Sequence, residues 1–141
     1  MPSDLPSLAD HLRPVVLKLS RQLRRESLVA GLGAQDAQLL GVVRKRPGVG
    51  VSELADIEQV SRPSMSAHVK RLEAAGLLAR GDSEDRRRAP LELTEAGREA
   101  LRQVRDTRTH WLEERLARLT PAELDALEAA LPALNTMVEA P

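Results

Sequence analysis

The chain has 141 residues with 21 basic and 21 acidic side chains, no cysteine, phenylalanine or tyrosine, and Trp111 as its single aromatic residue. A composition 42% hydrophobic and 30% charged excludes a disordered chain, and this length suits one compact unit whose core must be aliphatic and mainly helical. Without cysteine there are no disulfides, thiolate metal sites or thiol peroxide switches. With no basic leader and no apolar run near the roughly 18 residues of a membrane span, the expectation is a soluble cytoplasmic protein that binds no membrane.

The first long segment, SLADHLRPVVLKLSRQLRRES, places Leu8, Leu12, Val15, Val16, Leu19 and Leu23 at steps of three and four, the period of an amphipathic helix. Ser7 is its predicted start, Pro14 is expected to kink it or delay its beginning, and Gly31 and Gly33 end it. AQDAQLLGVVRKRPG reads as a second helix with Leu39, Leu40 and Val43 inward and a basic last turn before Pro47. VSELADIEQV follows, with Ser52 as the predicted cap and Leu54, Ala55 and Ile57 on a short helix. SRPSMSAHVKRLEAAG is fully punctuated, with Ser61 as cap, Pro63 in the first turn and Gly76 as stop. LLAR and APLELT, too short for helices, flank GDSEDRRR and predict a hairpin with a charged tip. Thr94 caps a helix through Leu101, Val104, Trp111, Leu112, Leu116 and Leu119. Thr120 and Glu123 form a capping box for a last helix along Leu124, Leu127, Leu131, Leu134 and Val138, which Pro132 is expected to kink or shorten.

The middle of this order is a short helix, a few residues around EQV, a capped helix and a two-stranded ribbon, the order of a winged helix-turn-helix. On the capped helix Met65, Val69 and Leu72 fall at i, i+4 and i+7 and face the core, which turns Pro63, Ser66, Ala67, Lys70 and Arg71 outward. That side is small, polar and basic. A helix entering the major groove needs this mix, because acids would meet phosphate repulsion while Ser, Lys and Arg donate to phosphates and base edges. Charge is polarised in the same sense: seven basic residues face four acids between Arg62 and Arg88, whereas eight acids exceed five arginines from Glu99 to Glu139.

The stretch VSELADIEQVSRPSMSAHVKRLEAAGLLARGDSEDRRRAPLELTEAG, residues 51–97, resembles the DNA-binding core of the MarR family of bacterial transcriptional regulators. Its most specific part is Asp85-x-Arg87 followed by Leu91, Leu93, Thr94 and Gly97, supported by RLEAAGLL. The resemblance implies a mainly α fold with a small β-wing: a winged helix-turn-helix over residues 34–97, flanked by dimerisation helices in 1–30 and 98–141. It implies that Ser61, Arg62, Pro63, Ser64, Ser66, Ala67, Lys70 and Arg71 form the DNA side of the reading helix. It also implies that Asp85 holds Arg87 by a salt bridge for entry into the minor groove, whose negative potential in A/T-rich DNA suits a guanidinium, while Arg86 and Arg88 meet phosphates. The sequence departs from the family at Ala67, where relatives often carry a basic residue. The dimer interface is assigned to Leu8, Leu12, Leu116, Leu124, Leu127, Leu131 and Leu134. A two-fold protein reads half-sites about one helical turn or a multiple apart, so the expected partner is double-stranded DNA with a palindromic or near-palindromic operator.

Other features have blander readings. An isolated EDRRR run is ordinarily a solvated turn, and only its place after a reading helix makes it a DNA contact. His11, His68 and His110 form no i, i+4 pair and no metal-protease motif, so no metal or other cofactor is expected; His68 is assigned to a phosphate or to packing beside the wing. Trp111 is a candidate for lining an effector pocket, against the alternative of core or interface. No nucleophile elbow or P-loop is present, and an enzyme is not expected. The leading reading is a dimeric transcriptional repressor released by a small-molecule effector that alters the separation of its reading helices. The alternative is a constitutive or architectural DNA-binding protein without effector.

Overall fold

A computed structural model describes residues 4–26, 31–86 and 88–140. The element order is α1 (Leu5–Arg25), α2 (Ala34–Lys45), α3 (Val51–Glu58), α4 (Arg62–Ala74), β1 (Leu78–Arg80), β2 (Leu91–Leu93), α5 (Glu95–Leu116) and α6 (Pro121–Glu139). The chain divides into two compact units, Met1–Arg108 and Thr109–Pro141. The first carries a winged helix-turn-helix.

Its core is aliphatic, as the composition required. Leu39, Leu40 and Val43 of α2, Leu54 of α3, Met65, Val69 and Leu72 of α4, Leu78, Leu91 and Leu93 of the ribbon and Val104 of α5 are buried in one cluster. Each such side chain contributes roughly 1.5–3 kcal/mol by leaving water. The turn between α3 and α4 contains no glycine. Gln59 takes the left-handed conformation there, with φ of 55°, and the chain returns through the Val60 N–H donating to the Ala55 carbonyl at 3.1 Å. α4 then starts as its punctuation predicts, with the Ser61 hydroxyl accepting from the Ser64 N–H at 3.2 Å.

The wing is antiparallel, pairing Leu78 with Leu93, Ala79 with Glu92 and Arg80 with Leu91. On its other edge the Leu91 N–H donates to the Val49 carbonyl at 2.8 Å, so the segment entering α3 lies along the wing's base. Thr94 joins wing to α5: its Oγ1 accepts from the Gly97 N–H at 3.0 Å and donates to the Gly76 carbonyl. Arg108 on α5 donates through Nε to the Leu23 carbonyl at 3.1 Å, a second donor to a last-turn acceptor of α1 that also receives the Glu26 N–H. Burial, and then the charge of Arg24, lower the pKa of Arg108.

Three sequence expectations are corrected. α1 begins at Leu5, ahead of Ser7, with a proline in its first turn, and runs unbroken through Pro14 to Arg25. Pro14 and Asp10 are exposed, so water can satisfy the Asp10 carbonyl that loses its donor. α3 begins at Val51 after Gly50, which puts Ser52 inside the helix rather than at its cap. In the second unit α6 has the predicted capping box, with Thr120 N–H to Glu123 Oε2 at 2.8 Å and Glu123 N–H to Thr120 Oγ1 at 3.2 Å, but it continues past Pro132 to Glu139.

Candidate nucleic-acid interface

The reading helix is presented by its own burial pattern. Met65, Val69 and Leu72 are fully enclosed, which leaves Arg62, Pro63, Ser64, Ala67 and Lys70 exposed along the opposite side, with Ser66 half-buried. Beside this face lies an open groove of about 530 Å³ lined by Val51 and Ser52 of α3, Arg62, Pro63, Ser66 and Lys70 of α4, and Arg80 and Arg86 of the wing. Arg62, Lys70 and Arg86 therefore face one concave surface, with Arg80 lining it but paired to Glu73. Arg62 and Lys70 have no carboxylate partner among the described residues, so an approaching polyanion meets them without displacing an ion pair.

The predicted site residues do not all share this groove. Ser61 and Ser64 hold the helix start, where the Ser61 hydroxyl also donates to Ser64 Oγ at 2.8 Å. Ala67 is exposed outside the groove lining, as are Asp85 and Arg88, whose side chains approach to 4.0 Å across a turn closed by the Arg88 N–H to the Asp85 carbonyl at 3.0 Å. Arg87, the minor-groove candidate, lies outside the described residues. Ser52 and Arg80 line the groove without having been assigned to DNA from sequence, where one reads as a cap and the other only as part of a charge surplus.

Arg71 is committed within the chain. It reaches α2 and forms a bidentate pair with Asp36, Nη1 to Oδ2 at 2.8 Å and Nη2 to Oδ1 at 2.7 Å. Its Nη2 also lies 3.1 Å from His68 Nδ1. A guanidinium only donates, so His68 Nδ1 is the acceptor in this contact. The Arg71 hydrogen bonds hold the Asp36 carboxyl below its ordinary pKa, and Asp36 raises that of Arg71. The pair fixes the orientation of α4 on α2. Asp36→Asn is expected to lower stability at neutral pH by about 1 kcal/mol, because the half-exposed Arg71 leaves the pair partly screened by water. A depressed carboxylate stabilises fully above its unfolded pKa of about 3.9, and that stabilisation is lost as pH falls through the lowered native value. Urea midpoints of wild type and variant should therefore differ at neutral pH and converge in acid; a gap unchanged into acid would contradict the assignment.

The sequence and the fold have counterparts in known proteins. A sequence profile of the MarR family matches residues 30–89. An uncharacterised helix-turn-helix-type transcriptional regulator of Mycobacterium bovis is 30% identical over 133 residues, spanning 94% of this chain and 93% of that protein. The chain belongs to the MarR family. A Pseudomonas aeruginosa crystal structure of a protein assigned as a transcriptional regulator superposes with a TM-score of 0.82 at 32% identity, covering 99% of this chain and 100% of that one. The multiple antibiotic-resistance repressor of Listeria monocytogenes shares the fold with a TM-score of 0.77 at 18% identity, covering 99% of each chain.

Outside the groove, this MarR-family chain leaves two helices with uncovered apolar stripes. On α1, Leu5, Leu8, Val15, Val16, Leu17 and Leu19 are exposed and Leu12 is half-buried. In the second unit Leu116, Leu124, Leu127, Leu131, Leu134, Met137 and Val138 are exposed, and α6 buries no residue. Trp111 is buried, and one face of its ring is occupied by the Arg115 guanidinium 3.6 Å from the centroid, which leaves less of the indole for a ligand. Among the described residues no cluster of His, Asp and Glu could hold a metal ion, and no helix is long and apolar enough to cross a membrane.

Proposed function

We propose that the protein is a homodimeric repressor that reads a palindromic or near-palindromic operator with α4 and the wing, and that a small-molecule effector releases it. One observation carries the DNA reading: the cation-lined groove beside the exposed polar face of α4, with Arg62 and Lys70 without a carboxylate partner among the described residues. A groove of this charge favours phosphates, and the small side chains Ser66 and Ala67 allow the helix close approach to base edges. In support, a Staphylococcus aureus MepR variant solved bound to an oligodeoxyribonucleotide has the same fold, with a TM-score of 0.69 at 17% identity over 94% of this chain and 98% of that one. Arg87 takes the minor-groove role that the family pattern implies, and Arg86 and Arg88 take phosphates. The uncovered stripes of α1 and α6 supply the dimer interface, because contiguous apolar faces of this kind ordinarily mark an association surface.

A mobility shift on DNA from just upstream of the protein's own gene, at fixed salt with competitor present, tests the reading. A discrete complex that survives competitor is expected, and its loss on adding an effector would identify the release step. Complete loss to competitor would favour a constitutive, architectural binder. The dimer is tested separately: Leu127→Asp combined with Leu131→Asp should convert a dimer to a monomer in sedimentation equilibrium, since it puts two charges one turn apart into an apolar contact. An unchanged mass would remove α6 from the interface.

A further inference from the structure

Beyond β1 the wing leaves its ladder. The last rung is the Gly81 N–H donating to the Pro90 carbonyl at 2.7 Å, and the loop residues 82–86 and 88 are exposed. One side chain crosses from the ladder to the tip. Arg80, its side chain only 9% exposed, donates through Nε to Glu73 Oε1 at 2.7 Å and through Nη1 to the main-chain carbonyl of Arg86 at 2.9 Å. Glu73 lies near the end of α4, and its second oxygen is 3.9 Å from Arg86 Nη2. The main chain of Arg80 is fixed in turn, because it pairs with the fully buried Leu91.

We propose that Arg80 is a positioning residue for DNA reading, bolting the wing tip to the reading helix through Glu73 so that both approach the duplex as one body. This rests on the DNA-binding reading above. The guanidinium is a planar fork whose donors point in set directions, so it can hold a carboxylate and a carbonyl at once; an ammonium is a point charge on a flexible stem. A charged loop ordered in advance loses less conformational freedom on binding than one ordered by the DNA. Arg80 also lines the groove, and a direct phosphate contact is the competing role. The two roles differ in what they demand. A phosphate contact needs only positive charge, whereas positioning needs the fork and its anchor.

The test uses full-length protein on the tightest duplex that wild type selects from a random pool, footprinted by hydroxyl radical for the wing's minor-groove contact and by dimethyl sulfate for the major groove under α4. Arg80→Lys and Glu73→Ala are both expected to keep guanine protection, lose the wing's sugar protection, and weaken binding by about tenfold or more. Glu73→Ala attacks the bolt from its less buried end and leaves the Arg80 charge in place, so it keeps the test decisive if Arg80→Lys does not melt cooperatively. Wing protection retained in folded Glu73→Ala, or wild-type affinity kept by Arg80→Lys, overturns the proposal in favour of phosphate contact. Equal loss of both protections overturns it in favour of a general structural role. If wild type gives no footprint on any duplex, the DNA reading itself fails, and the proposal with it.

Discussion

Gly97→Ala should lower stability by about 3 kcal/mol or more, although alanine is the better helix former by about 1 kcal/mol. The reason is close approach, not backbone angle. A Cβ on Gly97 would overlap the Leu77 carbonyl oxygen and come within 3.2 Å of its carbon. That carbonyl cannot swing aside freely, because it accepts from the Thr94 N–H at 3.2 Å while the Leu77 N–H donates to the Leu72 carbonyl at 3.0 Å. Relief must move the first turn of α5 or the strand carrying Leu78, which is buried in the core. Thermal unfolding should show a midpoint lowered by roughly 10 °C or more for a domain of this size. A wild-type midpoint would mean that α5 and the wing base are not in the tight contact described.

The second large effect is on binding. Replacing Arg62, Lys70 and Arg86 together by alanine should weaken operator binding by about 3 kcal/mol, on the order of 100-fold, at matched salt. The slope of log affinity against log salt should become shallower by roughly 2 to 3, because three phosphate contacts release that many fewer counterions. Folding should be little affected, since Arg62 and Lys70 are exposed and the Arg86 side chain is 76% exposed. Unchanged slope and affinity would place the groove away from the DNA. Arg71→Ala serves as a contrast. Its guanidinium is held by Asp36, so it should lose stability while leaving the salt slope near wild type.

The elements legible in the sequence were those governed by local rules. The caps at Ser61 and Thr120, the i, i+4, i+7 burial of Met65, Val69 and Leu72, and the turn-flanked Leu pairs of the wing each depend on residues within a few positions. What the sequence hid was long-range. Asp36 and Arg71 are 35 residues apart, and nothing in AQDAQLL marks one acid as a partner for the reading helix. Arg80 adds to the basic surplus as a sum but is turned inward to Glu73, so a charge tally overstates what faces DNA. The left-handed turn falls on Gln59 because α3 and α4 must pack, overriding the usual preference for glycine. Pro14 and Pro132 lie on exposed stretches where water can take the orphaned carbonyls, so neither stops its helix. The need for Gly97 is a contact with Leu77, twenty positions earlier, that no local pattern encodes.

The most direct test of the central claim is selection of duplexes from a random pool by the purified protein, with sequencing of the bound fraction over several rounds. The expected result is enrichment of one inverted repeat whose half-sites are separated by about one helical turn or a multiple, lost when Arg62, Lys70 and Arg86 are replaced. A bound fraction with no enriched sequence would contradict it, leaving the groove a site of general affinity for polyanions rather than an operator-reading surface.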